Sequence, residues 1–569
     1  MCKQHEGRDE LIFCRSVQGF YFCQMMKKNL PSLLLLVTAL LLMVSGCRNG
    51  FDQADTSHVF RYNEAADITS LDPSFARDQA NIWPVNQIFN GLVQLNDNLE
   101  VIPAIASRWD ISGDGLQYTF HLRKDVRFQD DACFPAGIGR KVNSQDVIYS
   151  FRRIMDPATA SPGSWVFGWL DKKDPFRAVD DSTLVIRLKE PFPPFLGILT
   201  TQYCSVVPEE AVKSYGTEFR RHPVGTGPFC FAFWKEGVKL VLKKNPAYFE
   251  FENGKRLPYL DGVAITFLAD KQSAFLEFAK GKTDLISGID PAYKDELLTK
   301  QGTLNPKYAG SVQLTRQPYL NTEYLAIMVD PSSEMMKDNP LRLKQVRQAI
   351  NLSFDRTRMI AYLRNNIGAP GVYGLIPPGL PGCDTSKKYG GYDPERAAAL
   401  LAQAGFPGGK GLPSITLSST SDYLDICKYI QFQVSSLGID LKIEVTPPAA
   451  LKEMKAQAKL PFFRASWIAD YPDAESYLSL FVSGNFCPSG PNYSHFSNTQ
   501  YDRWYREAMT TTVDSLRYKY YRQMEELMMN ETPVIILYYD EVLRFTRKNV
   551  SGLGSNPMNL LVLKRVKKG

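Results

Sequence analysis

From residue 58 to its end, the chain alternates short strand patterns with helical patterns, and no low-complexity linker separates them. Such alternation predicts an α/β (mixed α+β) fold, because strands and helices bury their apolar faces by packing in layers. No repeat of fixed period occurs, which argues against a solenoid or a propeller. At roughly 100–200 residues per domain, 569 residues allow about three domains. The clearest strand patterns are residues 59–63, 118–122, 183–188, 441–445 and 534–539.

Polar residues at fixed offsets predict where two of the helices begin and end. Asn143, with Asp146 three residues later, is typical of a capping box. Asp393 followed by Pro394 is a strong helix start, because proline suits the first helical position. Gly405 then stands where that helix is expected to stop.

The N-terminal region is typical of an exported protein. A positive region at Lys27 and Lys28 precedes an apolar run at residues 33–44, which is too short for a membrane span of about 20 residues. Small residues then lead to Cys47, as in the bacterial lipobox, so residues 25–46 are expected to be a signal peptide and Cys47 to be lipidated. The alternative is a plain signal peptide with an incidental cysteine.

The first 24 residues do not fit in front of a signal peptide, because they contain acidic residues and three cysteines. We therefore expect residues 1–24 to be a mis-assigned upstream start, with Met25 or Met26 as the natural one. Six cysteines lie beyond Cys47, and none forms a C-x-x-C pair, so neither a zinc site nor a redox site is expected.

The balance of charge gives no sign of a nucleic-acid partner. The chain has 66 Lys and Arg against 60 Asp and Glu, a formal net charge of +6 spread over its whole length. The one basic cluster comes at the very end, at Lys564, Arg565, Lys567 and Lys568.

Sequence patterns of common catalytic and cofactor sites are missing. None of the five histidines lies four residues from another, and no G-x-S-x-G motif occurs. Residues 281–283 resemble the end of a phosphate-binding loop, but Leu276 stands where that motif requires glycine. We therefore expect no metal, no cofactor and no enzymatic activity.

A set of short motifs extends over nearly all of residues 58–569. The motifs are LDP at 71–73, PAIA at 103–106, YTFHLR at 118–123, the helix at 143–151, GTGPF at 225–229, NPAY at 245–248, VRQAI at 346–350, IPPG at 376–379 and RASWIADY at 464–471. In this order and spacing they resemble the family 5 extracellular solute-binding proteins, the peptide-binding lipoproteins of bacterial ABC importers. The resemblance is closest to the oligopeptide-binding branch.

The resemblance implies a bilobal fold of the periplasmic-binding-protein type II-like kind, with an extra inserted domain. Two crossing strands, near residues 312–320 and 534–543, would form the hinge between the lobes. The implied domains are domain I at 48–97, 223–316 and 540–569, domain II at 98–222, and domain III at 317–539.

The resemblance also implies three peptide-binding residues within the R-A-x-W-x-A-D-Y segment. Asp470 would pair with the α-ammonium of the peptide, Trp467 would pack near that end, and Arg464 would meet the carboxylate of short peptides. Two positions depart from the family pattern: Met328 stands where many relatives have asparagine, and Phe249 where tryptophan is common.

Physical chemistry supports such a site, because a closed cleft removes water from both charged ends of a peptide and each buried charge then needs a partner. Other roles stay open for all three residues. Asp470 can serve a turn or a helix cap together with Asp473. Trp467 can belong to the core, and Arg464 can form a structural ion pair. Gly225 and Gly227 are expected to serve a backbone turn.

The expected function is capture of oligopeptides by a monomeric protein outside the cytoplasm, in the periplasm or at the cell surface. Its partners would be the peptide, the permease subunits of an ABC transporter and, through lipid on Cys47, the membrane. Two alternatives remain. The same scaffold can carry a metal chelate, haem, a sugar or an opine, or the chain can be an extracellular enzyme or adhesion lipoprotein on a borrowed fold.

Overall fold

The computed structural model of the chain describes residues 57–554 and 556–569. The predicted signal peptide at 25–46, Cys47 and the upstream residues 1–24 lie outside the described residues. Within the described ranges, no helix combines the length and the apolar character needed to cross a membrane.

Helices occur throughout the described ranges. They are α1 (Gln79–Ile88), α2 (Ser144–Met155), α3 (Phe195–Ile198), α4 (Glu209–Tyr215), α5 (Lys271–Ala279), α6 (Lys294–Leu297), α7 (Lys344–Leu352), α8 (Arg356–Arg364), α9 (Pro394–Gln403), α10 (Leu424–Ser435), α11 (Pro448–Ala456), α12 (Glu475–Leu478), α13 (Thr499–Thr510) and α14 (Asp514–Glu531).

The strands alternate with these helices. They are β1 (Val59–Asn63), β2 (Val93–Leu95), β3 (Val101–Pro103), β4 (Ala106–Ile111), β5 (Gln117–Leu122), β6 (Phe176–Asp180), β7 (Thr183–Arg187), β8 (Phe229–Lys235), β9 (Lys239–Lys244), β10 (Phe251–Glu252), β11 (Lys255–Arg256), β12 (Gly262–Thr266), β13 (Leu285–Ser287), β14 (Val312–Ile327), β15 (Ala369–Pro370), β16 (Ile415–Ser419), β17 (Leu441–Val445), β18 (Phe462–Ile468), β19 (Val534–Arg547), β20 (Val550–Ser551) and β21 (Lys567–Lys568).

The predicted helix boundaries match the structure because the caps form as the sequence indicates. The Asn143 side chain accepts hydrogen bonds from the backbone of α2, and the Asp146 carboxylate accepts one from the Asn143 backbone in return. Asp393 caps α9 by accepting from the N–H of Arg396. Gly405, just beyond α9, has the left-handed φ of 93° that a helix stop favours.

One large sheet runs through both halves of the molecule. Its strands lie in the order β17-β16-β18-β14-β19-β13-β1-β12-β9-β8, with β15 added beside β19. We call the part around β8, β9, β12, β1 and β13 the first lobe, and the part around β16, β17 and β18 the second lobe. The predicted bilobal α/β fold is confirmed.

The two lobes share the long antiparallel strands β14 and β19. One stretch of β14 pairs Val312–Pro318 with β19, and after a register shift a second stretch pairs Thr322–Ala326 with it. The shift leaves residues 319–321 opposite a single residue of β19. A bulge of this kind bends and twists a strand pair. It falls where the strands pass from the first lobe to the second, as expected for the predicted hinge of two crossing strands.

A separate four-stranded sheet, β4-β5-β7-β6, is built from residues 106–187. Helix α2 packs near this sheet and attaches it to the first lobe through an ion pair. Arg153 of α2 binds Asp72 with both of its terminal nitrogens, at 2.9 and 2.5 Å. This pair gives Asp72 of the LDP motif a structural role, because both side chains are largely buried. The division into domains I, II and III, by contrast, stays a prediction.

Two details of the core bear on the sequence predictions. Gly225 and Gly227 do not have the left-handed φ that favours glycine in a turn. They pass so close to α1 that a Cβ atom would lie 2.2 Å from the Ile88 oxygen and 2.4 Å from the Ile88 carbonyl carbon, respectively.

Met328 is only 1% exposed and belongs to the apolar core of the second lobe, so it makes no contact in a cleft.

Candidate functional site

A cavity of 480 Å³ lies where the two lobes meet. Its volume is within the range of about 300–1,000 Å³ that is usual for small-ligand sites. The lining comes from all three predicted domains. Domain I contributes seven residues between 77 and 95 together with residues 558–560. Domain II contributes residues 165 and 200–203, and domain III contributes residues 319 and 468–470. Trp165 of this lining also lies beside Tyr471, which follows β18, with ring centroids 6.1 Å apart.

Asp470 lines this cavity at the end of a strand that the hinge supports. Strand β18 ends at Ile468, and the next N–H, that of Ala469, donates to the Leu320 carbonyl in the bulge of β14, at 2.9 Å. The backbone of β18 is therefore fixed up to the residue before Asp470. As a result, the Asp470 carboxylate faces the cavity from the second lobe.

The Asp470 carboxylate has no cationic partner among the described residues. Its side-chain contact is with the Ser476 hydroxyl, at 3.5 Å. Desolvation inside the cavity raises the pKa of Asp470 to about 6, although the Ser476 hydrogen bond partly opposes this. The side chain is still accessible from the cavity space. An unpaired, partly desolvated carboxylate is electrostatically costly, and a cationic ligand would relieve that cost.

Trp467 lies behind Asp470 rather than in the cavity lining. Its indole Nε1 donates to the Ser476 hydroxyl at 3.3 Å, and the same hydroxyl accepts from the Asp470 N–H at 3.1 Å. The ring packs against the large apolar core. Trp467 thus orients Ser476, which in turn contacts Asp470.

Arg464 does not line the cavity. Its guanidinium forms an ion pair with Glu323, whose side chain is only 3% exposed, and it lies over the Tyr423 ring at 3.4 Å from the centroid. Glu323 stands on β14, the strand that pairs with β18. The structural ion pair that the sequence left open for Arg464 is therefore present.

Asp473 likewise has partners of its own. Its carboxylate binds Arg517 at 2.6 Å and the Tyr521 hydroxyl at 2.8 Å, and it accepts the N–H of Glu475 at the start of α12. Asp473, not Asp470, therefore makes the side-chain contact with the start of α12, whose N-cap residue is Ala474.

Sequence reasoning missed two charged residues of the cavity, Arg77 and Asp78. Arg77 is exposed and has no ion pair among the described residues, whereas Asp78 caps α1 through Asn81. Both lie near enough to Tyr203 to influence it: desolvation and the Asp470 charge raise the pKa of Tyr203 to about 12, and the Arg77 charge opposes the rise. Nothing local in the sequence marks Arg77, because nearly 400 residues separate it from Asp470.

One edge of β18 is open next to the cavity. Because the Ala469 N–H points to β14, the N–H and C=O of Ile468 point to the opposite edge. On that edge β16 pairs with β18 only at Phe463, as far as the described residues go. Ile468 is 45% exposed and lines the cavity, so an extended ligand backbone can hydrogen-bond to it.

The cavity contains no histidine, cysteine or lysine in its lining. Among the described residues, no group of three or more His, Cys, Asp or Glu side chains is arranged to hold a metal ion. Together, an interlobe cavity, an unpaired carboxylate and an open strand edge define a two-lobed binding protein.

The family is shown by comparison with known proteins. The model of the bacterial extracellular solute-binding proteins, family 5, matches residues 100–486. The chain belongs to this family. The predicted resemblance is therefore confirmed, and membership in a family of extracellular binding proteins supports the expectation that the chain is not an enzyme.

Individual relatives differ in the ligands that their names give. The glutathione-binding protein GsiB of Escherichia coli O1:K1 is 27% identical over 501 residues, which cover 86% of this chain and 91% of GsiB. The ABC transporter-associated periplasmic binding protein DppA from Helicobacter pylori, in complex with the peptide STSA, has a TM-score of 0.73 and 25% identity, covering 90% of this chain and 98% of DppA. NikZ from Campylobacter jejuni, in complex with Ni(L-His), shares the fold with a TM-score of 0.69 and 21% identity, covering 88% of this chain and 96% of NikZ.

Proposed function

We propose that this protein captures short peptides with a free amino terminus between its two lobes and delivers them to an ABC transporter permease outside the cytoplasm. In this proposal it acts as a monomer that lipid on Cys47 holds at the membrane. The predicted domains I and II form the first lobe, and domain III forms the second.

The observation that carries the proposal is the unpaired carboxylate of Asp470 in the interlobe cavity. A peptide α-ammonium is the cation that fits it, because it brings both a charge and hydrogen-bond donors. Charge-assisted hydrogen bonds of this kind contribute about 1.5–3 kcal/mol each. Trp467 supports the site by orienting Ser476 beneath the carboxylate.

The peptide backbone would continue from Asp470 along the open edge of β18. There the free N–H and C=O of Ile468 offer one pair of main-chain hydrogen bonds, which any peptide sequence can make. Since the cavity holds 480 Å³, peptides of a few residues fit better than long ones.

For the far end of the peptide, Arg77 is a better candidate than Arg464. Arg77 lies in the cavity lining without an ion-pair partner, whereas Arg464 is already neutralised by Glu323. We therefore transfer the carboxylate-binding role that the family resemblance implied for Arg464 to Arg77. The name of GsiB gives glutathione as its ligand, and DppA was solved in complex with the peptide STSA. The likeness of the chain to both proteins agrees with this choice of cargo.

Isothermal titration calorimetry of the purified protein tests the proposal. The panel consists of di- to pentapeptides and glutathione, each measured with a free and with an N-acetylated amino terminus. Free peptides are expected to bind, and acetylation is expected to weaken binding at least tenfold because it removes the cation. Absence of binding by every peptide, or equal binding of the acetylated forms, would refute it and favour a non-peptide cargo.

A further inference from the structure

A second cavity of 180 Å³ lies beside the interlobe cavity, within the first lobe. The two cavities share Gln79 and Trp83, which lie one turn apart on α1. Gln79 and Trp83 separate the two cavities together with Asn559. The Asn559 carbonyl accepts a hydrogen bond from the Trp83 indole at 2.9 Å, and its side-chain amide donates one to the Gln79 side chain at 3.0 Å. Gln79 is exposed, and its side chain makes one hydrogen bond among the described residues, so little holds it between the two spaces.

Glu64 gives the second cavity a carboxyl group without a cationic partner, and burial raises the pKa of this group to about 7. Its carboxylate accepts hydrogen bonds only from the backbone of Ala65 and Ala66, and no cation pairs with it among the described residues. The lysine of the lining, Lys271, is already bound to Asp290 at 2.5 Å. The cavity therefore has one carboxylate more than it has cations.

Thr283 contributes an unpartnered hydroxyl to the same cavity. This residue lines the same cavity, is 5% exposed, and its hydroxyl oxygen has no hydrogen-bond partner among the described residues. Buried hydroxyl groups normally form a hydrogen bond. The Thr283 hydroxyl can therefore accept one from a donor group of a ligand in this cavity.

The rest of the lining suits a long side chain with a cationic end. The aromatic residues Tyr62, Trp83 and Tyr293 surround a space of about six water volumes, at ~30 Å³ each, which is the size of one side chain and too small for a second peptide. Aromatic faces attract cations and pack against their methylene stems.

From these contacts we infer that the second cavity is a specificity subsite for a lysine or arginine side chain of the bound peptide. The stem passes Gln79 and packs against Trp83, and the charged head binds the Glu64 carboxylate and the Thr283 hydroxyl. The inference rests on the proposed peptide-binding function and narrows its substrate class to peptides with a basic residue.

Calorimetry with matched tripeptides tests the subsite. Lysine is placed at the first, second or third position of an alanine background, and each peptide is compared with its norleucine counterpart, which keeps the stem but lacks the ammonium. At one position the lysine peptide is expected to bind about tenfold more tightly. Glu64→Gln should remove that preference while the norleucine peptides bind as before, and Thr283→Val should reduce it in part.

Glu334→Gln is the control, because Glu334 is a highly exposed glutamate far from both cavities in sequence and outside their linings. Thermal unfolding of each variant verifies that it folds. Equal binding of lysine and norleucine at all three positions, or a preference that survives Glu64→Gln, overturns the subsite while leaving the proposed function intact. If no tripeptide binds at all, the proposed function fails and the subsite fails with it.

Discussion

Asp470 and Asp473 are the same residue type, three positions apart in one connection between β18 and α12, and yet their surroundings are opposite. Asp473 binds Arg517 at 2.6 Å and the Tyr521 hydroxyl at 2.8 Å, with both charged side chains nearly buried. Asp470 faces the interlobe cavity, with the Ser476 hydroxyl at 3.5 Å and no cation.

The difference separates charges that stabilise the fold through ion pairs from a charge that is available to bind a ligand. Removing one partner of a buried ion pair leaves the other charge without compensation, which is strongly destabilising. Neutralising an unpaired, partly desolvated carboxylate removes an electrostatic cost instead. The two aspartates should therefore respond in opposite ways to the same substitution, and four predictions test this contrast.

The largest effect is expected for Asp473→Asn. This substitution leaves the buried Arg517 without its main counter-ion, and only the exposed Asp514 at 2.8 Å remains to it. The free energy of unfolding should fall by about 3 kcal/mol, measured by urea denaturation at pH 7. Asp502→Asn on α13 is a reference for the loss of a carboxylate without an ion pair. If the free energy of unfolding falls by less than ~1 kcal/mol, the Asp473–Arg517 pair contributes no more than a surface ion pair, and the contrast with Asp470 is wrong.

Asp470→Asn should leave the fold intact and weaken the ligand. We expect no loss in the free energy of unfolding at pH 7, because the raised pKa of Asp470 means that its charge disfavours the unliganded fold. Affinity for a free-amine peptide should fall by about 2 kcal/mol, roughly 30-fold. Calorimetry and denaturation on one preparation measure both quantities. Unchanged affinity would contradict the role of Asp470, whatever its effect on stability.

Much of the fold could be predicted because its signals are local. The alternation at residues 59–63 and 441–445 predicts β1 and β17 residue for residue. The apolar run at 534–539 predicts only the first part of β19, because the strand continues to Arg547 with more polar residues where it enters the first lobe. Hydrophobicity alone gives no sign of that continuation.

The site could be predicted only in part, because partners of charged groups lie far apart in sequence. The family motif identifies Asp470, which the structure places in the cavity. The same motif assigns Arg464 to the ligand, but Glu323, 141 residues away, pairs with it across the sheet. Arg77 and Glu64 have no local motif, so only the tertiary fold reveals that each faces a cavity.

The pH dependence of binding sharpens the contrast further. Without ligand, Asp470 has a pKa of about 6, so its carboxyl group is mostly protonated below pH 6. Affinity for the peptide should therefore drop about tenfold for each pH unit below 6. Above about pH 8 the peptide amine loses its proton and affinity should fall again. Tyr203, Tyr319, Arg77 and Asp78 are the other titratable or charged groups of the cavity lining. Outside the lining, Glu475 and Tyr477 also interact with the Asp470 charge.

Glu475 needs a control, because burial raises its pKa to about 7, within the same range. It is held by the hydroxyls of Tyr471 and Tyr505 and does not line the cavity. Calorimetry from pH 4.5 to 9 on the native protein and on Asp470→Asn separates the two groups. The acid limb should disappear in the variant. If it persists there, Glu475 or another group controls binding.

The smallest effect concerns the two arginines, which differ as the two aspartates do. Arg77 lies in the cavity without an ion pair, and Arg464 is paired with the buried Glu323. The native protein should prefer a peptide with a free carboxylate over its C-terminal amide by a few-fold, about 0.5–1 kcal/mol, because Arg77 is exposed and solvent weakens its attraction. Arg77→Gln should abolish this preference.

Arg464→Lys is the matched variant, since it keeps a cation for Glu323 while changing the shape of the donor. It should leave the acid-to-amide ratio as in the native protein, measured by calorimetry with the same peptide pair. The opposite pattern, a preference lost in Arg464→Lys and kept in Arg77→Gln, would return the carboxylate-binding role to the residue that the family motif indicates. It would also mean that the Glu323–Arg464 pair opens when a peptide binds, because a cation with a buried counter-ion can reach a ligand only by leaving it.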